Sequence, residues 1–179
     1  DQFISSTWKN GTGVTHEIAK KTSKDQLIWR LSIAEVDEDG PFSLFEGMAR
    51  ILTVIEGNGM VLESEDGVLD AAYCKPTVFS GETKINSYLN DGPIRDFNVI
   101  YDPVQICAEV KLVTQPFDIG GKQNLDCVYA LYCIAGSLSI DNAEIDKGSI
   151  ALCETLPEQV QYSQNSAALL VSLATRSGR

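Results

Sequence analysis

The stretch Leu52-Thr53-Val54-Ile55-Glu56-Gly57-Asn58-Gly59-Met60-Val61-Leu62 reads as a strand, a tight turn and a returning strand. Gly and Asn fall where a hairpin turn wants positive φ. A second stretch, Leu131-Tyr132-Cys133-Ile134-Ala135-Gly136-Ser137-Leu138-Ser139-Ile140, has the same order of features. Each leads to a further short pair, through Gly81-Glu82-Thr83 to Tyr88 and through Cys153-Glu154-Thr155 to Tyr162. One strand-hairpin unit used twice predicts two jelly-roll-like halves, residues 1–105 and 106–179.

Outward from these hairpins the apolar residues recur with period two. Leu27 to Val36 is predicted as a strand, with Trp29, Leu31 and Ile33 toward the core and Arg30, Ser32 and Ala34 on the opposite face. Further strands are expected over Ala49–Glu56, Met60–Glu63, Thr77–Phe79, Lys84–Leu89 and Phe97–Tyr101. The same holds in the second half over Ile106–Thr114, Val128–Ile134, Leu138–Ile140, Ser149–Cys153 and Ala168–Ala174. Turn clusters such as Asp37-Glu38-Asp39-Gly40-Pro41 recur between them. The expectation is an all-β chain of barrel or sandwich halves with few short helices.

At 179 residues the chain can bury a core without disulfides or metals. Its 14 Lys and Arg against 25 Asp and Glu give a formal net charge of −11. That balance opposes nucleic acid or an anionic membrane as the main partner. No run approaches the roughly 18 apolar residues of a membrane helix. The opening Asp1-Gln2-Phe3-Ile4 lacks the pattern of a signal peptide, and the cytoplasm is the expected location. Five cysteines without a Cys-x-x-Cys pair suit free thiols in strands.

The chain has one histidine, His16. A site of two or three imidazoles plus a carboxylate cannot be assembled from it. Composition leaves an all-carboxylate magnesium or calcium site open, but no Asp-x-Asp-x-Asp loop supports one, and the expectation is neither metal nor other cofactor. Nucleophilic catalysis would have to use His16 as its base, and no Gly-x-Ser-x-Gly places a serine beside it. Phosphate-binding loops of the Gly-x-x-x-x-Gly-Lys or Gly-x-Gly-x-x-Gly types are missing too.

What remains is a set of polar residues suited to binding. Trp8-Lys9-Asn10-Gly11-Thr12-Gly13-Val14-Thr15-His16-Glu17 is expected to be a Gly-rich loop, either one rim of a pocket or a tight packing loop; Lys9, Asn10, Thr15 and Glu17 are its candidate ligand groups. Arg30 and Ser32 share a strand face, and Arg50 on the next strand supplies a second guanidinium. Arginine suits a carboxylate because its planar fork donates two parallel hydrogen bonds. Asn98 shares a face with Asp96 and would orient a small polar ligand. Surface ion pairing is the alternative for both arginines, and Lys20, Lys21 and Lys24 are expected to be solvated.

Taken together, these residues resemble a known family. Trp8-Lys9-Asn10-Gly11-x-Gly13-x-Thr15-x-Glu17-Ile18, Trp29-Arg30-x-Ser32-Ile33-Ala34, Gly40-Pro41-Phe42-Ser43-x-Phe45-x-Gly47 and Arg50-x-Leu52 are similar to the HutD/Ves family. Glu56-Gly57-x-Gly59, Phe79-x-Gly81 and Asp96-Phe97-Asn98-Val99 continue the likeness, which covers residues 7 to 101. It implies a bicupin fold of the RmlC-like type without the usual metal ligands. It also implies a small metabolite as partner, N-formylglutamate in histidine utilisation for HutD, or a stress role for Ves. Two departures stand out: Thr12 replaces a glycine of the family loop, and Asp102 stands where the family carries an arginine.

Three functions are therefore open. The first is binding of a small polar or carboxylate metabolite without turnover. A metal-independent isomerase, epimerase or lyase using Glu17 with Tyr101 or His16 is the second. The third is a homodimeric interaction protein pairing through exposed strands.

Overall fold

The computed structural model describes residues 4–7 (backbone only), 13–114, 126–140, 142–155 and 160–176. By its contacts the chain divides into two units, 1–105 and 106–179. Strands of the first unit are β1 (Ile4–Thr7), β2 (Gly13–Ser23), β3 (Gln26–Val36), β4 (Gly40–Pro41), β5 (Ala49–Glu56), β6 (Met60–Ser64), β7 (Gly67–Ala71), β8 (Thr77–Ser80), β9 (Asn86–Leu89) and β10 (Ile94–Tyr101). Those of the second are β11 (Ile106–Val113), β12 (Cys127–Ala135), β13 (Ser137–Ile140), β14 (Ala143–Asp146), β15 (Ile150–Cys153), β16 (Val160–Tyr162) and β17 (Ala167–Thr175).

The first unit is a six-stranded sheet, β1-β2-β3-β10-β5-β8, with a four-stranded sheet, β4-β9-β6-β7. Its core joins Ala34, Val36, Leu52 and Val54 of the larger sheet to Met60, Leu62 and Ala71 of the smaller. Each such fully buried aliphatic side chain contributes about 1.5–3 kcal/mol. In the second unit a four-stranded sheet, β11-β17-β12-β15, accompanies a three-stranded one, β14-β13-β16. Here Leu131, Cys133, Ala168 and Leu170 pack with Leu138, Ile140, Ile145 and Val160.

Two expectations are corrected. The few short helices do not occur among the described residues, because the apolar residues alternate with period two and nowhere build a 3.6-residue stripe. Nor does either half close into a barrel: the sheets are open, with β1 and β8 at the edges of one and β4 and β7 at the edges of the other. Between β5 and the end of β7 only a single bridge forms, Val54 with Tyr73, too short to continue a ladder. No described helix is long and apolar enough to cross a membrane.

The expected loop after Gly13 is an eleven-residue strand. Its polar sequence concealed it, since β2 has exposed Lys20, Lys21 and Ser23 and lacks an apolar alternation. Its pairing to β3 shifts between Glu17 and Ala19, a bulge that adds a residue to the β2 side.

Candidate functional site

Register on the large sheet of the first unit decides which side chains meet. β10 lies between β3 and β5, so Asn98 is flanked by Ser32 and Leu52, Asp96 by Ala34 and Val54, and Ile100 by Arg30 and Arg50. On β2, Thr15 pairs with Ala34 and Glu17 with Ser32. Cross-strand partners share a face, so five candidates chosen from sequence (Thr15, Arg30, Ser32, Arg50 and Asn98) come to one cavity of about 50 Å³. Ala34, Phe42, Ser43, Phe45 and Asp96 complete its lining.

Glu17 joins the same face without lining the cavity; Lys20 holds it at 2.9 Å. Lys9 and Asn10 lie outside the described residues, as does Thr12. His16 and Tyr101 pair with Ile33 and Trp29, which puts them on the face opposite Glu17. The proton-handling set of the isomerase reading is thus split by the pleat. Asp102 is in no such cavity: it accepts hydrogen bonds from the Val104 amide and Gln105 Nε2, which hold its carboxyl below the usual range and close the turn after β10.

Three polar residues form a chain through the cavity floor. Arg50 donates from Nη2 to Asn98 Oδ1 at 2.8 Å, and Asn98 donates from Nδ2 to Asp96 Oδ1. The amide is oriented by its neighbours, because its oxygen must face the guanidinium and its nitrogen the carboxyl. All three residues are buried. Asp96 Oδ2, Ser32 Oγ and the Nε atoms of Arg30 and Arg50 are buried without a hydrogen-bond partner. Native interiors rarely leave such groups unmatched, and these four gather around one cavity.

Aromatic rings form the walls. The Arg50 guanidinium lies 5.1 Å from the Phe42 ring, 5.5 Å from Phe45 and 5.1 Å from Phe79, while Arg30 sits 5.0 Å from Phe45. Ring faces attract a cation without consuming its N–H donors. Phe45 is held by backbone: its amide bonds Gly81 O, and the Gly81 amide bonds Met48 O, both at 2.8 Å. A Cβ at Gly81 would stand 2.6 Å from Phe45 O, so only glycine permits this approach. Sequence reasoning missed these walls. Their signal was the Gly40-Pro41-Phe42-Ser43-x-Phe45 and Phe79-x-Gly81 motifs; Phe42 and Phe45, three apart, follow no strand period, whereas Phe79 lies in β8.

Burial pulls the Arg50 pKa down to about 10, with the charge of Asp96 opposing and that of Arg30 assisting, so Arg50 stays protonated at neutral pH. Burial likewise lowers Arg30, against the pull of Glu17. Asp96 moves the other way, pushed up to about 7 by burial despite Arg50 and the Asn98 hydrogen bond. Among the described residues no group of three or more His, Cys, Asp or Glu side chains could hold a metal ion.

The HutD family model matches residues 1–171. An uncharacterised 21.2 kDa protein in the hutC 3′ region of Pseudomonas putida is 41% identical over 112 residues, 58% of this chain; the match spans 56% of that relative's length. A conserved protein of unknown function from Pseudomonas aeruginosa PAO1 superposes with a TM-score of 0.83 at 29% identity, covering 98% of this chain and 95% of that one. HutD from Pseudomonas fluorescens SBW25, solved in a formate condition, gives 0.79 at 29% identity over 98% and 95%.

Proposed function

We propose that this chain, which belongs to the HutD family and is related to the cupins, binds a small carboxylate metabolite in the cavity of its first unit without turning it over. The observation that carries this reading is the pair of guanidiniums at one aromatic-walled cavity, Arg50 buried and Arg30 half-buried, each with a buried Nε that has no hydrogen-bond partner. A charged group there is worth more than in water, because aromatic walls and burial exclude competing solvent. The hutC neighbourhood of the P. putida relative supports a metabolite of histidine breakdown, with N-formylglutamate as the first candidate and a sensing role as the use.

The test is a thermal-shift titration with N-formylglutamate, glutamate, formate, urocanate and histidine, repeated on Arg30→Ala. Ligand at about 100 times its Kd stabilises by about 2.7 kcal/mol. For a domain of this size that raises Tm by about 5–10 °C. Arg30 is only half-buried and makes no ion pair among the described residues, so the variant is expected to fold and to lose the shift. A shift that survives in Arg30→Ala would overturn the placement of the site, and no shift with any compound would detach the chain from these metabolites.

A further inference from the structure

Asp96 is at odds with a cavity that receives an anion. It is 1% exposed and lines the cavity. Asn98 occupies one of its oxygens, and Asn98 also stands between it and Arg50. Its other oxygen, Oδ2, has no partner. As a carboxylate it would be desolvated without a direct charge-assisted bond, and it would repel the anion that the arginines attract.

The surrounding charges do not relieve this. β2 brings Glu17 to that face, already matched by Lys20. β3 brings Arg30 and β5 brings Arg50, neither within ion-pair distance of Asp96, while β10 itself adds Ile94, Asn98 and Ile100. The facing sheet offers apolar Met60 and Leu62, the segment before β9 adds Ile85, and residues 42–45 add Phe42, Ser43 and Phe45. A proton on Oδ2 removes both conflicts at once. It neutralises the buried charge and turns an idle acceptor into a donor at the cavity.

We propose that Asp96 is the specificity-determining residue of the cavity, a carboxylic acid that donates its Oδ2 proton to one oxygen of the bound carboxylate while Arg30 and Arg50 balance the charge. This rests on the cavity being an anion site. It selects an anion whose oxygen accepts from a neutral acid, and it makes the anion and the proton bind together. Burial already places the Asp96 titration near neutrality, and a second negative charge in the cavity raises it further. Affinity is therefore fully expressed below that titration and falls by about tenfold per pH unit above it.

Calorimetric titration of the full chain with N-formylglutamate, and with formate as the minimal probe, tests this in buffers of different ionisation enthalpy. Wild type is expected to take up about one proton per anion above neutral pH and to lose affinity by about tenfold per pH unit. Asp96→Asn keeps the shape and a donor but cannot ionise, and it is expected to bind with a flat pH profile and no uptake. Wild-type binding that depends on Arg30 yet shows neither uptake nor pH dependence overturns the shared proton and leaves the anion site standing. No binding of either probe at any pH overturns both.

The ligand-free protein gives a second reading. The Asp96 pKa is raised from its usual 3.8 to about 7 in the fold, so the native state holds a proton that the unfolded chain releases first. Stability from this group is full below about pH 4, is lost as pH rises to about 7, and is then level. The Tm of wild type minus that of Asp96→Asn is expected to fall across that window. A difference independent of pH overturns the buried proton without reference to any ligand.

Discussion

The two units share one strand order and differ on one face. β3-β10-β5-β8 in the first corresponds to β11-β17-β12-β15 in the second, and β5 and β12 each run into a hairpin glycine, Gly57 or Gly136. Arg50 lies between Phe79 and Ile100; its counterpart Tyr129 lies between Cys153 and Ser172. Leu52 opposes Asn98, whereas Leu131 opposes Leu170. Val54 opposes Asp96, whereas Cys133 opposes Ala168. On the flanking strand Arg30 is matched by Glu109, which is exposed and paired with Lys111 at 2.8 Å. Tyr129, held by the Cys127 thiol and by burial with its pKa near 12, is neutral where Arg50 is charged.

One backbone frame therefore carries two solutions. Where the first unit carries Asn98 and Asp96, the second carries Leu170 and Ala168, which need no partners beyond contact, and its polar Ser172 and Glu109 lie toward one end of the face. The first keeps a buried polar chain there and leaves four polar atoms around its cavity unmatched, at a cost to stability.

Substitutions that move one unit toward the other test the comparison. The largest effect is expected for Asn98→Leu, which installs the residue of the second unit at the centre of the chain. It leaves Arg50 and Asp96 both buried and unlinked, and should cost about 3–5 kcal/mol in urea unfolding. A loss below about 1 kcal/mol would show that the three residues do not act as a unit. Gly57→Ala and Gly136→Ala probe what the units have in common. Both glycines have positive φ, and an added Cβ would meet Pro93 O at 2.6 Å or Ser166 Oγ at 2.4 Å. Each is expected to lose about 1–3 kcal/mol. A cost at only one of them would break the equivalence of the hairpins. The smallest effect belongs to Glu109→Ala, the counterpart of Arg30, with stability unchanged within about 0.5 kcal/mol and ligand response intact. A ligand response that disappears in this variant would place a binding role on the second unit.

Much of this was legible in the chain. Alternation marked β3, β5, β12 and β17 within a residue of their ends and β10 from its fourth residue on, because each is a central strand with a buried face. The polar residues that interrupt the alternation, Arg30, Ser32, Arg50 and Asn98, are the ones the sheet gathers. Edge and outer strands were harder. β2 buries only Gly13 fully and β14 exposes all but Ile145, so burial imposes little pattern on them. β7 also escaped notice, its first four residues being exposed. Asp96 was visible beside Asn98, but nothing in its neighbours along the chain showed that Oδ2 would be sealed from water.

The sequence by itself determined the all-β class, the doubled hairpin and the shortage of imidazole, since period, turn residues and composition are local or additive properties. Only the tertiary structure decided that open sheets replace closed barrels and that His16 and Tyr101 face away from Glu17. It also decided that Asp96 is sealed beside two arginines without touching either. Those outcomes depend on register between strands far apart in the chain. A one-residue shift there would turn every side chain to the other face.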